Sequence, residues 1–196
     1  MPVPYRKTPR AIEIGTAAYL DVLWFPQERV FYGGLLIVDG KGQPQEFVHN
    51  KATAPAGALW SQKKIVATGI AMLAHSLFEA CRREPDILIC LADLGDTDYL
   101  KTEIAPSIPF VQVAPERGEF PAEWNWINEP PSPGMRAAIL AQELARRGFT
   151  MEPFERLRDA LRLVYPQTDW NGERVAPCNP SLALPEAERE SCGARL

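Results

Sequence analysis

Three runs of β-branched, aromatic and aliphatic residues lie in the first part of the chain, separated by short turn sequences. The first run predicts a strand from Ala17 to Phe25, which ends at Pro26 because proline has no backbone N–H to donate within a sheet. RVFYGGLLIVDG and QEFVHN predict the second and third strands, with an Asp39-Gly40 turn between them. The short connections predict an antiparallel meander. The Gly33-Gly34 pair weakens the interior of the second strand, so we expect a bulge or a close backbone approach there.

The segment from Leu59 to Asp98 carries the strongest pattern in the sequence. Apolar residues recur every three or four positions, which is the spacing of one buried helical stripe, at Val66, Ile70, Leu73, Leu77 and Cys81. Pro85 ends this helix, and the apolar run from Ile87 to Ala92 predicts a strand that is covered on both faces. The pattern therefore predicts a helix that packs on the sheet and leads into a central strand.

The remaining chain alternates short elements with proline-rich stretches. YLKTEI predicts a short helix, IPFVQVAP a fifth strand, and ERGEFPAEWNWINEPPSPG an irregular loop. A second helix is predicted from Met135 to Arg147, and Thr150 is a candidate cap for a third helix. The expected buried stripe of the third helix is Phe154, Leu157, Leu161 and Val164, and its charged residues Glu155, Arg158, Asp159 and Arg162 have the spacing of a solvated face.

These elements predict an α/β fold with a mixed five-stranded sheet, made of the three-strand antiparallel meander and two parallel strands, with helices packed on it. Residues 1–165 are expected to form one domain, and residues 166–196 a proline-rich tail. A hydrophobic content of 46% excludes disorder throughout the chain. No apolar run has the length of a signal peptide or a membrane span, so we expect a cytoplasmic protein.

Charge is unevenly distributed although the net charge is only -4. Residues 1–65 carry 8 Lys/Arg and 5 Asp/Glu, so the front of the chain is the better candidate for contact with an anionic partner. The candidate contacts to nucleic-acid phosphate are Arg6, Lys7, Arg10, Lys63 and Lys64. For the two lysines an exposed helix start is an equally good explanation.

Acidic residues occur at two positions where they suggest chemistry. Asp21 lies inside the apolar run AYLDVLW, where a carboxylate is costly unless it is paired or bound to a metal. Asp93, Asp96 and Asp98 follow the buried fourth strand, at the end of a strand where open α/β sheets place ligands. The alternative for Asp21 is an ion pair with a lysine on a partly solvated strand, and for the other three it is a role in turns and helix caps.

The order of elements resembles that of the ribonuclease H-like fold over about residues 15–148. The resemblance implies that the first and fourth strands lie side by side, with Asp21 and Asp93 at the positions of two metal-binding acids. In that family the acids hold divalent metal for phosphodiester cleavage, and Asp96 is a further candidate ligand. The chain departs from the pattern at the start of the long helix, where Lys63 and Lys64 stand near the position of another family acid.

Trp124 and Trp126 share one face if their segment is extended, because alternate residues of a strand point the same way. They form either a cap on the core or an exposed anchor for a partner protein. The sequence contains no phosphate loop, dinucleotide fingerprint or GxSxG elbow, which argues against the common nucleotide-dependent and hydrolase classes.

Three functions follow from these observations. The first is a non-catalytic subunit or adaptor of a larger cytoplasmic assembly, for which an assembly that acts on nucleic acid is one option. It docks through Trp124, Trp126 and the tail and needs no cofactor. The second is a nuclease that uses Mg²⁺ or Mn²⁺, with Asp21 and Asp93 as catalytic ligands and Asp96 beside them. The third is a nucleic-acid-binding module that uses the basic residues of the front part and whose affinity falls with salt.

Overall fold

The computed structural model describes residues 14–56, 60–94, 97–114 and 123–170. Within them the chain forms six strands, which are β1 Thr16–Phe25, β2 Val30–Asp39, β3 Pro44–Thr53, β4 Ile87–Leu91, β5 Phe110–Ala114 and β6 Glu123–Trp126. The three long helices of this part are α1 Gln62–Ala80, α2 Arg136–Arg146 and α3 Glu152–Val164. Arg6, Lys7, Arg10, Asp96 and most of the predicted tail lie outside the described residues.

The strands form one mixed sheet in the order β3-β2-β1-β4-β5-β6. Strands β1, β2 and β3 pair antiparallel, and β4 pairs parallel with both β1 and β5. The predicted α/β class, the meander and the neighbouring β1 and β4 are confirmed, in the arrangement that the ribonuclease H-like resemblance implies. The prediction of five strands was wrong, because part of the expected loop pairs antiparallel with β5 as β6.

Helix α1 covers one face of the sheet and buries the predicted stripe up to Leu77, while Cys81 lies just beyond the helix and is half-buried. Gly33 explains how closely the helix approaches, since a Cβ at this position would lie 3.2 Å from side-chain methyls of Leu73 and Leu77. Gly69 serves the same purpose on the helix, because its Cβ would lie 2.2 Å from the ring of Phe31. The expected close approach is therefore present, whereas the register irregularity of β2 lies elsewhere, between Ile37 and Val38.

Helices α2 and α3 cover the opposite face of the sheet. The stripe of α3 buries Phe154, Leu157 and Leu161, but Val164 is exposed, contrary to the prediction. Thr150 is not the cap that was expected, because Met151 occupies the N-cap position without a side-chain hydrogen bond. After α3 the chain turns back onto the sheet.

The first residues of the predicted tail pack on the same face as α3. The ring of Trp170 lies 5.4 Å from that of Phe25 and 5.6 Å from that of Tyr32, both in edge-type or tilted contacts. Its indole N–H donates to the carbonyl of Tyr165 at 3.2 Å. The aromatic contacts hold the chain against the sheet as far as residue 170.

Candidate functional site

Asp21 lies in the middle of β1, on the face covered by α3, and only 4% of it is exposed. Nε of Arg158, on α3, donates to Oδ2 of Asp21 at 2.7 Å, and the arginine side chain is itself only 18% exposed. A buried carboxylate requires such compensation, because its loss of hydration costs several kcal/mol. The alternative of an ion pair is thus realised, with an arginine from α3 rather than a lysine.

The backbone of β2 brings Arg158 within reach of Asp21. Gly34 stands opposite Asp21 in the sheet, and a Cβ on Gly34 would lie 3.0 Å from a methyl of Leu157. The missing side chain lets α3 settle close to the sheet, so the next residue of the helix reaches the carboxylate. The helical spacing had placed Arg158 on a solvated face, and this was wrong. The useful signal in the sequence was Asp21 itself, which needed a partner.

Asp93 has a different environment from Asp21. It is exposed, in the single 3₁₀ turn Ala92–Leu94 that directly follows β4. Asp98 is exposed as well, at the start of a short helical segment, where its carbonyl accepts a hydrogen bond from the Thr102 hydroxyl at 2.9 Å. The acids after β4 that the structure describes therefore lie at the surface of the molecule, in the segment that follows the C-terminal end of this strand.

The thiol of Cys90 lies within the electrostatic range of both Asp21 and Asp93. Burial raises the pKa of its thiol well above the usual value, and the charges of Asp21 and Asp93 raise it further. The side chain is fully buried on the α1 face of β4. Cys90 therefore remains a protonated thiol at neutral pH and is not a nucleophile.

The metal site implied by the resemblance can be tested against the donors that the structure describes. A divalent cation on Oδ2 of Asp21 would have to displace the Arg158 guanidinium, whose charge repels it. In residues 14–56, 60–94, 97–114 and 123–170, no three His, Cys, Asp or Glu side chains are placed to hold a metal ion together. The described donors do not fit a metal at Asp21, and a role for Asp93 and Asp96 as ligands stays a prediction.

An open groove of about 660 Å³ runs along the outer face of α1, bounded on its other side by the segment after β4. Apart from two alanines of α1, the residues that line it are Lys64, Thr68, Met72, His75, Asp98 and Tyr99. We call it the α1 groove. The four helical residues among them follow one another at spacings of four, four and three, so they form one stripe of α1 opposite to its buried stripe.

The second wall of the α1 groove is fixed by a single π-helical turn, Leu100–Ile104. Leu100 is buried in the core cluster under α1, and the N–H of Ala105 donates to its carbonyl at 2.9 Å. The buried leucine anchors this turn, and Tyr99 next to it stays partly exposed in the groove. The predicted short helix after Asp98 thus becomes a wall of the groove.

Two lysines and the N-terminus of α1 make the end of the α1 groove at the start of the helix positively charged. Lys63 and Lys64 lie in the first turn of α1, which contains no acid, and both are exposed. The Ser61 hydroxyl caps the helix by accepting from the N–H of Lys64 at 3.3 Å. The helix dipole adds to the lysine charges at this end. Trp60 is also exposed here, directly before the cap.

Trp124 and Trp126 lie on β6 opposite Val113 and Val111, and both side chains are half-buried. They pack together against the core that α2 and α3 cover, as the shared face of an extended segment requires. This is the geometry of a cap on the core. Contact of their exposed parts with a partner protein stays a prediction.

No helix in the described part of the chain is long and apolar enough to span a membrane. No protein-family model and no curated protein matches the sequence.

Solved structures with a partial likeness to the chain include three endonuclease V proteins. That from Streptomyces avermitilis is 12% identical, with a TM-score of 0.41 over 51% of this chain and 45% of its own. That from Bacillus subtilis is 13% identical, with a TM-score of 0.37 over 53% of this chain and 45% of its own. The Ciona intestinalis protein was solved with a 24mer DNA containing an inosine followed by a ribo-adenosine. It is 11% identical, with a TM-score of 0.38 over 79% of this chain and 59% of its own chain. The matches thus cover less than two thirds of each of these proteins.

Proposed function

We propose that this chain is a nucleic-acid-binding domain on a ribonuclease H-like scaffold, which takes single-stranded nucleic acid into the α1 groove and does not cleave it through a metal at Asp21. The observation that carries the proposal is the α1 groove itself. Lys64, at the positive end of the helix, lines the same open groove as Met72 and the ring of Tyr99.

The chemistry of the groove suits unpaired nucleotides. Lys64 supplies the charge that a phosphate requires, and Tyr99 offers a ring face on which a base can stack. From Lys64 to His75 the helix extends about 16 Å, which is enough for two or three nucleotides. We place the backbone toward Lys64, whose charge a phosphate requires, and the bases toward Met72 and Tyr99, which offer apolar and aromatic surfaces.

Charge argues for a single strand rather than a duplex. The chain is acidic overall, with a net charge of -4, and binding to a duplex backbone usually depends on a broad basic surface. Stacking in a groove needs fewer cations, because each stacked base contributes about 1–3 kcal/mol. The adaptor interpretation has less support, since Trp124 and Trp126 pack on the core.

Fluorescence anisotropy with labelled single-stranded DNA and RNA oligonucleotides at several salt concentrations tests this proposal. We expect measurable binding at low salt, an affinity that falls with salt, and a salt slope reduced by about one in Lys64→Gln. Tyr99→Ala should weaken binding roughly tenfold. Lys41→Gln is the matched control, because Lys41 is exposed in the β2–β3 turn, at the opposite end of the sheet from the start of α1.

Two results would contradict the proposal. The first is binding that neither Lys64→Gln nor Tyr99→Ala changes, which would place the interface elsewhere. The second is cleavage of the oligonucleotide in Mg²⁺ or Mn²⁺ that disappears in Asp21→Asn, which would establish the nuclease instead.

A further inference from the structure

We propose that the Asp21–Arg158 pair is a structural lock that holds α3 on the sheet, and that it takes the place of the divalent metal at this position of the scaffold. The inference does not depend on nucleic-acid binding. It follows from where the two charges lie and from what surrounds them.

The surroundings make this ion pair different from those at the surface. Asp21 and Arg158 are 4% and 18% exposed, and Nε and Oδ2 are 2.7 Å apart. On the same helix, Arg162 and Asp159 form a pair of similar length, 2.8 Å, but both side chains are more than half exposed. Water screens the surface pair and weakens it, whereas the buried pair loses little of its attraction.

The helix around Arg158 is fitted to the sheet at the same place. Leu157 packs over Gly34, the residue opposite Asp21, while Phe154 packs edge-on against Tyr19, two residues before Asp21, with ring centres 5.1 Å apart. The apolar contacts fix the height of α3 above the sheet, and the ion pair fixes its position along β1. An arginine held in this way occupies Oδ2 of Asp21.

Removal of either partner takes away the opposite charge that compensates the other inside the core, which is among the costliest single changes in a protein. A pair that acts as one unit also shows strong coupling, so the loss in the double variant is smaller than the sum of the two single losses. If Asp21 were a metal ligand instead, an added divalent cation would bind to it in the folded chain and raise the Tm. The two roles therefore predict different measurements.

The experiment follows thermal unfolding of the full chain for Asp21→Asn, Arg158→Met and the double variant, with and without millimolar Mn²⁺. We expect each single change to lower the Tm by on the order of 10 °C, and the double variant to lose clearly less than the sum. Arg162→Met and Asp159→Asn are the matched controls from the exposed pair, and each should shift the Tm by less than about 2 °C. If Arg158→Met does not fold, Arg158→Gln, which also removes the charge, replaces it in the cycle.

Binding of Mn²⁺, followed by electron paramagnetic resonance, gives the second measurement. The lock predicts the same Mn²⁺ binding for the unmodified chain and for Asp21→Asn, and no Tm increase that depends on Asp21. Mn²⁺ that raises the Tm of the unmodified chain but not of Asp21→Asn would overturn the proposal, as would strictly additive losses in the cycle. Neither readout involves nucleic acid, so this inference can fail while oligonucleotide binding in the α1 groove stands, and the binding can fail while the inference stands.

Discussion

The face of the sheet under α2 and α3 buries direct polar contacts between helix and sheet, whereas the face under α1 buries an apolar cluster and leaves most polar residues of the helix on its outside. On the first face, Arg158 pairs with Asp21, and the Tyr19 hydroxyl donates to the carbonyl of Phe149. On the second, the outer stripe of α1 forms an open groove. Directional polar contacts inside a core fix one arrangement of the helix. The comparison suggests that α3 provides rigidity and α1 provides the binding surface.

The largest effect that tests this comparison is expected from Phe154→Ala on α3. Phe154 is fully buried between the helix and Tyr19, so its truncation should lower the free energy of unfolding by about 3–5 kcal/mol. Leu163→Ala on the same helix is the control, because Leu163 is 82% exposed and its loss should cost less than about 0.5 kcal/mol. Urea unfolding measures both. Similar values for the two variants would show that α3 is not held as described.

Gly69→Ala tests how tightly α1 is fitted to the other face. The new methyl would lie 2.2 Å from the ring of Phe31, which is fully buried and stacked on Trp24 with ring centres 4.2 Å apart. We expect a net loss of about 2 kcal/mol in the free energy of unfolding, although alanine is the better helix former. Adding Phe31→Leu to Gly69→Ala should recover part of the loss. A stabilised Gly69→Ala variant would mean that the helix and sheet are less closely packed.

Much of this fold follows from the sequence alone. Hydrophobic spacing and turn residues located β1 to β5 and the helices α1 to α3, because each element presents a regular face to one core. Strand β6 was missed, since a four-residue strand among prolines has too short a pattern to stand out, and it forms only by pairing with β5. Val164 was predicted buried because the helical pattern gives spacing but not where the neighbouring surface ends.

The candidate site was less predictable. Asp21 could be recognised as a costly buried acid, but the pattern of α3 put Arg158 among charged residues with the spacing of an exposed face. The close packing of α3 on the sheet, with Leu157 over Gly34, brings Arg158 within reach of Asp21. The α1 groove likewise requires a second wall, Tyr99, whose position depends on the anchoring of Leu100. Contacts between elements that are distant in sequence carry no local signal.

Tyr19→Phe tests the polar contacts of the α3 face with a smaller effect. Loss of the hydrogen bond to Phe149 should cost about 1 kcal/mol near neutral pH. Burial raises the pKa of Tyr19 far above its ordinary value, an effect that the nearby Arg156 partly offsets and Glu152 reinforces. Above about pH 10 the unfolded chain therefore loses a proton that the folded chain keeps, so stability falls as the pH rises.

The Tyr19→Phe variant lacks the ionisable hydroxyl, so its free energy of unfolding should decline less between about pH 9 and 11 than that of the unmodified chain. Urea unfolding across this range measures both slopes, and below about pH 9 the two should run parallel. Equal slopes at alkaline pH would show that the Tyr19 hydroxyl is accessible to water, and the α3 face would then be less sealed than the contacts indicate.

The smallest effect is expected in the α1 groove, where Met72→Ala should change the free energy of unfolding by no more than about 0.5 kcal/mol. Met72 is 51% exposed, and alanine is at least as good a helix former. Its neighbour Leu73 points to the sheet and is 1% exposed, so Leu73→Ala should cost about 2–5 kcal/mol. A large loss for Met72→Ala would make the groove residues part of the core. A small loss combined with weaker oligonucleotide binding means that this stripe of α1 is free to serve a ligand, because the fold does not need it.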